Sequence, residues 1–178
     1  MKSNLLLLTA LVASAISSFA AETAPAFSMP AGNQLAVRTT AYTADEPGGA
    51  KSAVGTRLSY GGATYSAASD WSWLPLGTRF RMRETGRTYV IEDYGSALVG
   101  KKTIDLFMPS GGAMAKWGVR NVNIEILQWG SWDKSLAVLK ERTGNPHVRR
   151  MVASIRARKA SGVLLAGEPA NATASSVQ

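Results

Sequence analysis

Between Leu35 and Leu127 the chain is cut into short apolar runs by turns rich in glycine and proline, and this punctuation most constrains its fold. LAVRTTAYT alternates as a strand does and stops at the DEPGG loop. SAVGTRL, the turn YGG and ATYSAAS follow. WLPLGT, residues 73–78, is a tight turn in which Pro75 fixes the chain and Gly77 relieves it. In RFRMRE, Phe80 and Met82 point one way while Arg79, Arg81 and Arg83 point the other. RTYVIED and TIDLFM read as two more strands. GGAMAKWG is long enough for two helical turns with Ser110 as cap, and NVNIEIL closes the set with Val122, Ile124 and Ile126 on one face. Six or so short strands with one small helix predict a mainly β fold closed into a compact barrel. Helical material is too scarce for a doubly wound sheet.

The ends have a different character. Lys2, the run LLLLTALVA and Ser18-Phe19-Ala20 make residues 1–20 a signal for export, too short for a membrane span. Residues 21–34 read as a linker rich in Ala, Pro and Gly. After Trp132, DKSLAVLKERTG predicts a helix ending at Gly144 with Pro146 beyond it. In HVRRMVASIRARK, Val148, Met151, Val152 and Ile155 recur at helical spacing, which makes a basic amphipathic helix. The expected organisation is therefore a barrel over 35–128, a basic helical extension over 129–161 and a disordered tail over 162–178. The chain contains no cysteine, so disulfides, thiolate zinc and a cysteine-linked lipid anchor are excluded. With a single histidine, His147, a histidine metal cluster is excluded too, and no cofactor is called for. His147 has no serine or cysteine partner in a triad and reads as incidental. The mature protein is expected to be soluble and exported, to a periplasm or the outside of the cell.

The formal charge is +8, unevenly spread. Residues 21–132 carry eleven Lys/Arg against nine Asp/Glu, whereas 133–178 carry eight against three. Such a basic end attracts anionic surfaces, and with an export signal the relevant ones are wall polymers or anionic lipid rather than nucleic acid. The alternative is a helix packed on the barrel with its charges solvated.

Three aspartates sit among apolar neighbours: Asp70 in SAASDWSWLPLG, Asp93 in YVIEDYGS and Asp105 in KKTIDLFM. In a strand TIDLF, Ile104 and Leu106 share one face and Asp105 the other. If the Ile/Leu face is the core, Asp105 points to a sheltered groove, where lost hydration would raise its pKa as a general acid requires. The plainer alternative is a carboxylate that accepts backbone N–H bonds and pins a crossover, and Asp93 and Asp70 read equally well as turn formers. Trp71 and Trp73, on either side of that turn, suit either a groove or the core. The DxDxDG regularity of a calcium loop is absent, so no metal is expected.

Several spaced motifs go further. TTAYT carries Tyr42, SAVGTRL carries Gly55 and Thr56, and Asp70 precedes Pro75-Leu76-Gly77-Thr78 by five residues. DYGSALVG keeps Asp93, Gly95, Ala97 and Gly100, and Ile104, Asp105, Phe107 and Met108 follow. Ala115, Trp117 and Gly118 then precede the NVNIEIL strand. In these features the run from Val37 to Leu127 resembles the 3D domain, named for three aspartates, of bacterial cell-wall proteins. The resemblance implies a double-psi β-barrel similar to the catalytic core of MltA-type lytic transglycosylases. It departs from the family pattern at Tyr94, Ser96 and Val99, where that pattern has threonine, glycine and lysine, and one extra residue lies between Asp93 and Asp105. Lys101 or Lys102 could supply the missing cation.

What the resemblance implies is cleavage of the bond between N-acetylmuramic acid and N-acetylglucosamine in peptidoglycan, leaving a 1,6-anhydro product. Asp105 would be the single acid and base, Asp93 its orienting partner and Asp70 a support of the groove. Tyr42, Thr56, Tyr94, Gly95, Lys101 and Lys102 would bind substrate. The competing reading is a glycan-binding barrel whose departures near Asp93 have removed the chemistry.

Overall fold

The computed structural model describes residues 34–45 and 49–161. The expected signal, all of the linker but Gln34, and the expected tail lie outside the described residues. Six strands close into a barrel: β1 (Gln34–Tyr42), β2 (Tyr65–Ala68), β3 (Arg79–Met82), β4 (Thr88–Asp93), β5 (Thr103–Phe107) and β6 (Arg120–Gln128). Their order around the barrel is β1-β5-β2-β4-β3-β6. β1 pairs parallel with β5 and β2 parallel with β4, whereas the remaining pairings are antiparallel. Parallel partners cannot be joined by hairpins. The long connections that this requires carry the turns and loops around the site.

The alternation read from the sequence sets what faces inward. Phe80 and Met82 are buried between exposed Arg79 and Arg81, and Val122, Ile124 and Ile126 fill the facing side. Ile104 and Leu106 of β5 are fully buried. At the end of β3's entry turn, Gly77 adopts a positive φ of 87° that a side chain would resist, and the Thr78 hydroxyl donates to Pro75 O at 2.7 Å.

Among the described residues, three α-helices complete the fold. α1 (Gly111–Trp117) is capped by Ser110, whose hydroxyl accepts from Ala113 N. α2 (Trp132–Leu139) is capped in the same way by Ser131 and continues into a 3-10 turn, Lys140–Arg142. α3 (Pro146–Ala160) begins with a proline at its first turn, where the missing N–H has no helical partner to lose. Its Val148, Met151, Val152 and Ile155 join the same apolar cluster as the barrel strands. The extension is thus packed on the barrel. It is stitched there by Ser131 N to Leu76 O, by Gly130 N to the Thr78 hydroxyl and by Leu76 N to the Ser135 hydroxyl. No helix among the described residues is long and apolar enough to cross a membrane.

Candidate active site

Strand register brings two of the three aspartates together. Ala68 of β2 is aligned with Asp93 of β4 on one side and with Asp105 of β5 on the other. Thr40 of β1 then follows Asp105. Asp93, Ala68, Asp105 and Thr40 therefore form one row across four strands, with the two aspartates two interstrand spacings apart, about 10 Å between Cα atoms. An alanine between them leaves a hollow over which both carboxylates stand.

The row depends on an irregularity. Ala67 pairs with Ile91 and Ala68 with Asp93, so Glu92 is the additional residue of a bulge. Bulges re-aim side chains, and this one aligns Asp93 rather than Glu92 with Ala68. Glu92 turns to other work: its two oxygens accept from the Thr56 hydroxyl at 2.8 Å and from the Ser66 hydroxyl, tying the 51–58 loop to the barrel.

A cleft of about 350 Å³ lies over the row, lined by Tyr42, Ala68, Asp93, Asp105, the 94–98 segment and His147, among others. Both carboxylates are partly exposed there. Asp105 Oδ1 accepts a 2.6 Å bond from the Thr40 hydroxyl. Asp93 Oδ1 accepts from Tyr94 N at 2.9 Å and Ala53 N at 3.1 Å, and its Oδ2 from the Tyr42 hydroxyl at 3.4 Å. Burial nevertheless pushes the Asp93 carboxyl above its ordinary value, assisted by the charge of Glu92 and opposed by those three hydrogen bonds. Tyr42 is pushed up by its own burial and then by the negative charges of Asp93 and Asp105. It therefore remains a phenol and a donor.

Asp70 does not join this row. It is 3% exposed. Its Oδ1 accepts from Ser72 N at 2.8 Å and its Oδ2 from Gly100 N at 2.7 Å, so it clamps the loop that follows Asp93 onto the turn before β3. Lys101 and Lys102 line a second cavity on the far side of that loop, together with Asp70. Thr56 is exposed and bound to Glu92, while Tyr94 and Gly95 line the cleft. The two indoles part company. Trp71 is fully buried and donates from Nε1 to Asp93 O at 2.9 Å, whereas Trp73 lines the second cavity.

Two residues of the extension meet the rim of the cleft: His147, which the sequence marks as incidental, and Arg142, which no motif singles out. His147 lines it, with its ring 6.1 Å from that of Tyr94. Arg142 donates to the Tyr94 hydroxyl at 3.3 Å and to Ala53 O at 2.7 Å. The one available signal was helical spacing: His147 precedes the buried Met151 by four residues, which sets it on the flank of the packed face. As a chemical arrangement the cleft offers two carboxylates of unequal environment, a phenol donor and an imidazole around one hollow.

Parts of this chain are similar to known proteins. The cell wall-binding protein YocH of Bacillus subtilis (strain 168) is 34% identical over 98 residues, which is 54% of this chain and 33% of that protein. The putative cell wall shaping protein YabE of the same strain is 34% identical over 97 residues, 54% of this chain and 23% of its own length. The chain thus spans a third or less of these relatives. The family model for the 3D domain matches residues 65–128, the segment that contains Asp70, Asp93 and Asp105. Over residues 65–128 this chain is thus similar to the 3D domain.

Proposed function

We propose that the protein is exported, associates with the bacterial cell wall and cleaves peptidoglycan glycan strands as a lytic transglycosylase. Association with the wall is supported by the relatives, one of them named for wall binding and the other for wall shaping. The cleavage rests on one observation, the alignment of Asp93 and Asp105 on either side of Ala68 beneath an open cleft.

Ordinary glycoside hydrolysis needs one carboxyl group to protonate the leaving oxygen and a second to activate water or attack carbon. An internal nucleophile removes the need for the second. In the proposed reaction protonated Asp105 gives its proton to the glycosidic oxygen, which leaves as the 4-hydroxyl of N-acetylglucosamine. O6 of N-acetylmuramic acid bonds to its own C1 as the glycosidic bond breaks, and the O6 proton passes to the Asp105 carboxylate. Acid and base are restored and no water is consumed. The Thr40 hydroxyl orients Asp105, and Asp93, steadied by two amides and Tyr42, faces the developing positive charge at C1.

The test is mass spectrometry of peptidoglycan digested by the purified protein, with fragments ending in 1,6-anhydromuramic acid as the expected product. Asp105→Asn should lower its formation by about 10²–10⁴-fold, the usual worth of a positioned acid, with the folded state and wall sedimentation retained. Sedimentation with wall at every pH from 4 to 7 without any new product would leave a wall-binding barrel and end the enzymatic reading.

A further inference from the structure

The loop 94–102 has a cavity on each side. Residues 94–98 border the glycan cleft, and Val99, Gly100, Lys101 and Lys102 border a second cavity of about 430 Å³ whose outer wall is α3. Four cations converge there. Lys101 and Lys102 come from the loop, and Arg150 and Arg158 stand eight residues apart on one face of α3. None of the four takes part in an ion pair among the described residues. The only acidic residue in the lining is Asp70, which is buried with an amide on each oxygen. Four positive groups against one negative leave the cavity strongly cationic. Arg158 uses one of its five N–H donors on Ser72 O at 2.9 Å, which fixes its guanidinium at the rim.

We propose that this cavity binds carboxylate groups of the peptide carried by N-acetylmuramic acid, so that the protein reads the peptide while the neighbouring cleft holds the sugar. The assignment rests on the wall-glycan reading of the cleft. A substituent leaving a muramic acid in the cleft meets the 94–102 loop first and the cationic cavity next. An extended peptide covers about 3.3–3.6 Å per residue, so two or three residues suffice to cross the loop. Guanidinium and ammonium groups on flexible stems suit carboxylates that differ in position from one peptide to another.

The test measures binding of the Asp105→Asn protein, which leaves its ligand intact, with and without the additional pair Lys102→Gln and Arg150→Gln. Both side chains are exposed and outside the core, and Lys101→Gln with Lys102→Gln serves as a second pair should the first fail to fold. The probes are wall stripped of phosphate polymers, the same wall after an amidase has removed its peptides, the same wall with its carboxylates amidated, and unstripped wall. The expected result is a loss of about tenfold on stripped wall and of less than about twofold on the peptide-free and amidated walls. An equal loss on all four, or none on stripped wall, overturns the proposal. A loss confined to unstripped wall overturns it in favour of a phosphate site. If the wild-type protein releases no anhydro product while the contrast between walls persists, the cleft chemistry falls and the cationic site stands.

Discussion

The acidic cleft and the basic cavity lie on either side of one loop, yet they are held by different means. Asp93 and Asp105 are fixed by backbone register across β4, β2 and β5, and Asp93 also by two amide donors. The cations of the second cavity hang on long side chains, half of them from a helix outside the matched 65–128 segment. The first arrangement suits chemistry, which tolerates little displacement of the reacting groups. The second suits recognition of a variable anionic ligand. The division holds only if barrel and extension behave as one body, and the strongest perturbation addresses that.

Ile155 is fully buried on α3 within the barrel's own core cluster. Ile155→Ala should cost about 3–5 kcal/mol, the range for deleting a packed isoleucine where the surroundings cannot collapse. In urea, tryptophan fluorescence and far-ultraviolet dichroism should show the loss in a single shared transition. A helical signal that melts early while the barrel stays put would make α3 an independent attachment.

Gly130 tests the seam itself. A Cβ there would stand 2.5 Å from Thr78 N and closer still to Leu76 O, and backbone cannot yield as a side chain tip can. Gly130→Ala should therefore cost about 3 kcal/mol, the upper end of ordinary overpacking, as a lowered denaturation midpoint. Little change would mean that the turn at Pro75–Thr78 and the extension are held apart in solution.

Arg142 ties the extension to the rim of the cleft. Arg142→Met keeps the stem and removes the bonds to Tyr94 and Ala53 O, an expected loss of about 1–2 kcal/mol. Faster hydrogen exchange should be confined to the 51–58 loop and the segment after Asp93. Uniform acceleration would show that Arg142 supports the fold as a whole rather than the rim of the cleft.

Much of this architecture was legible because period and punctuation are local. Phe80/Met82, Val122/Ile124/Ile126 and the Val148–Ile155 stripe each declare their buried face in sequence. Asp105 between Ile104 and Leu106 follows from the same alternation. Register is a different matter. The bulge at Glu92 decides which acid meets Ala68, and no spacing along one strand reveals an extra residue against its neighbour. Asp70 sits in the expected motif, and its oxygens accept from the amides of Ser72 and Gly100, which holds the loop beside the cleft without placing Asp70 in the row. The departures at Tyr94 and Val99, which in sequence bear on activity or substrate choice far more than on fold, acquire a structural meaning. Tyr94 meets Arg142 and His147, and Val99 lines the cavity beneath α3, so both face the extension.

The smallest expected effect concerns the charge on Asp93. Burial raises its pKa in the folded state above its ordinary value. Between the ordinary and the raised value the folded protein binds more protons than the unfolded chain, so stability falls as pH rises through that interval and is constant above it. Ionised Asp93 therefore weakens the fold at pH 7, and the weakening disappears once the pH drops below about 4, where the unfolded carboxyl is protonated too. An asparagine in its place would keep an oxygen for the Tyr94 and Ala53 amides without the charge. Asp93→Asn should thus be slightly more stable than the parent at pH 7, by less than about 1 kcal/mol given the partial exposure of the group, with the difference closing by pH 4 in paired urea titrations. A variant less stable at pH 7 would show that the three hydrogen bonds outweigh burial at Asp93.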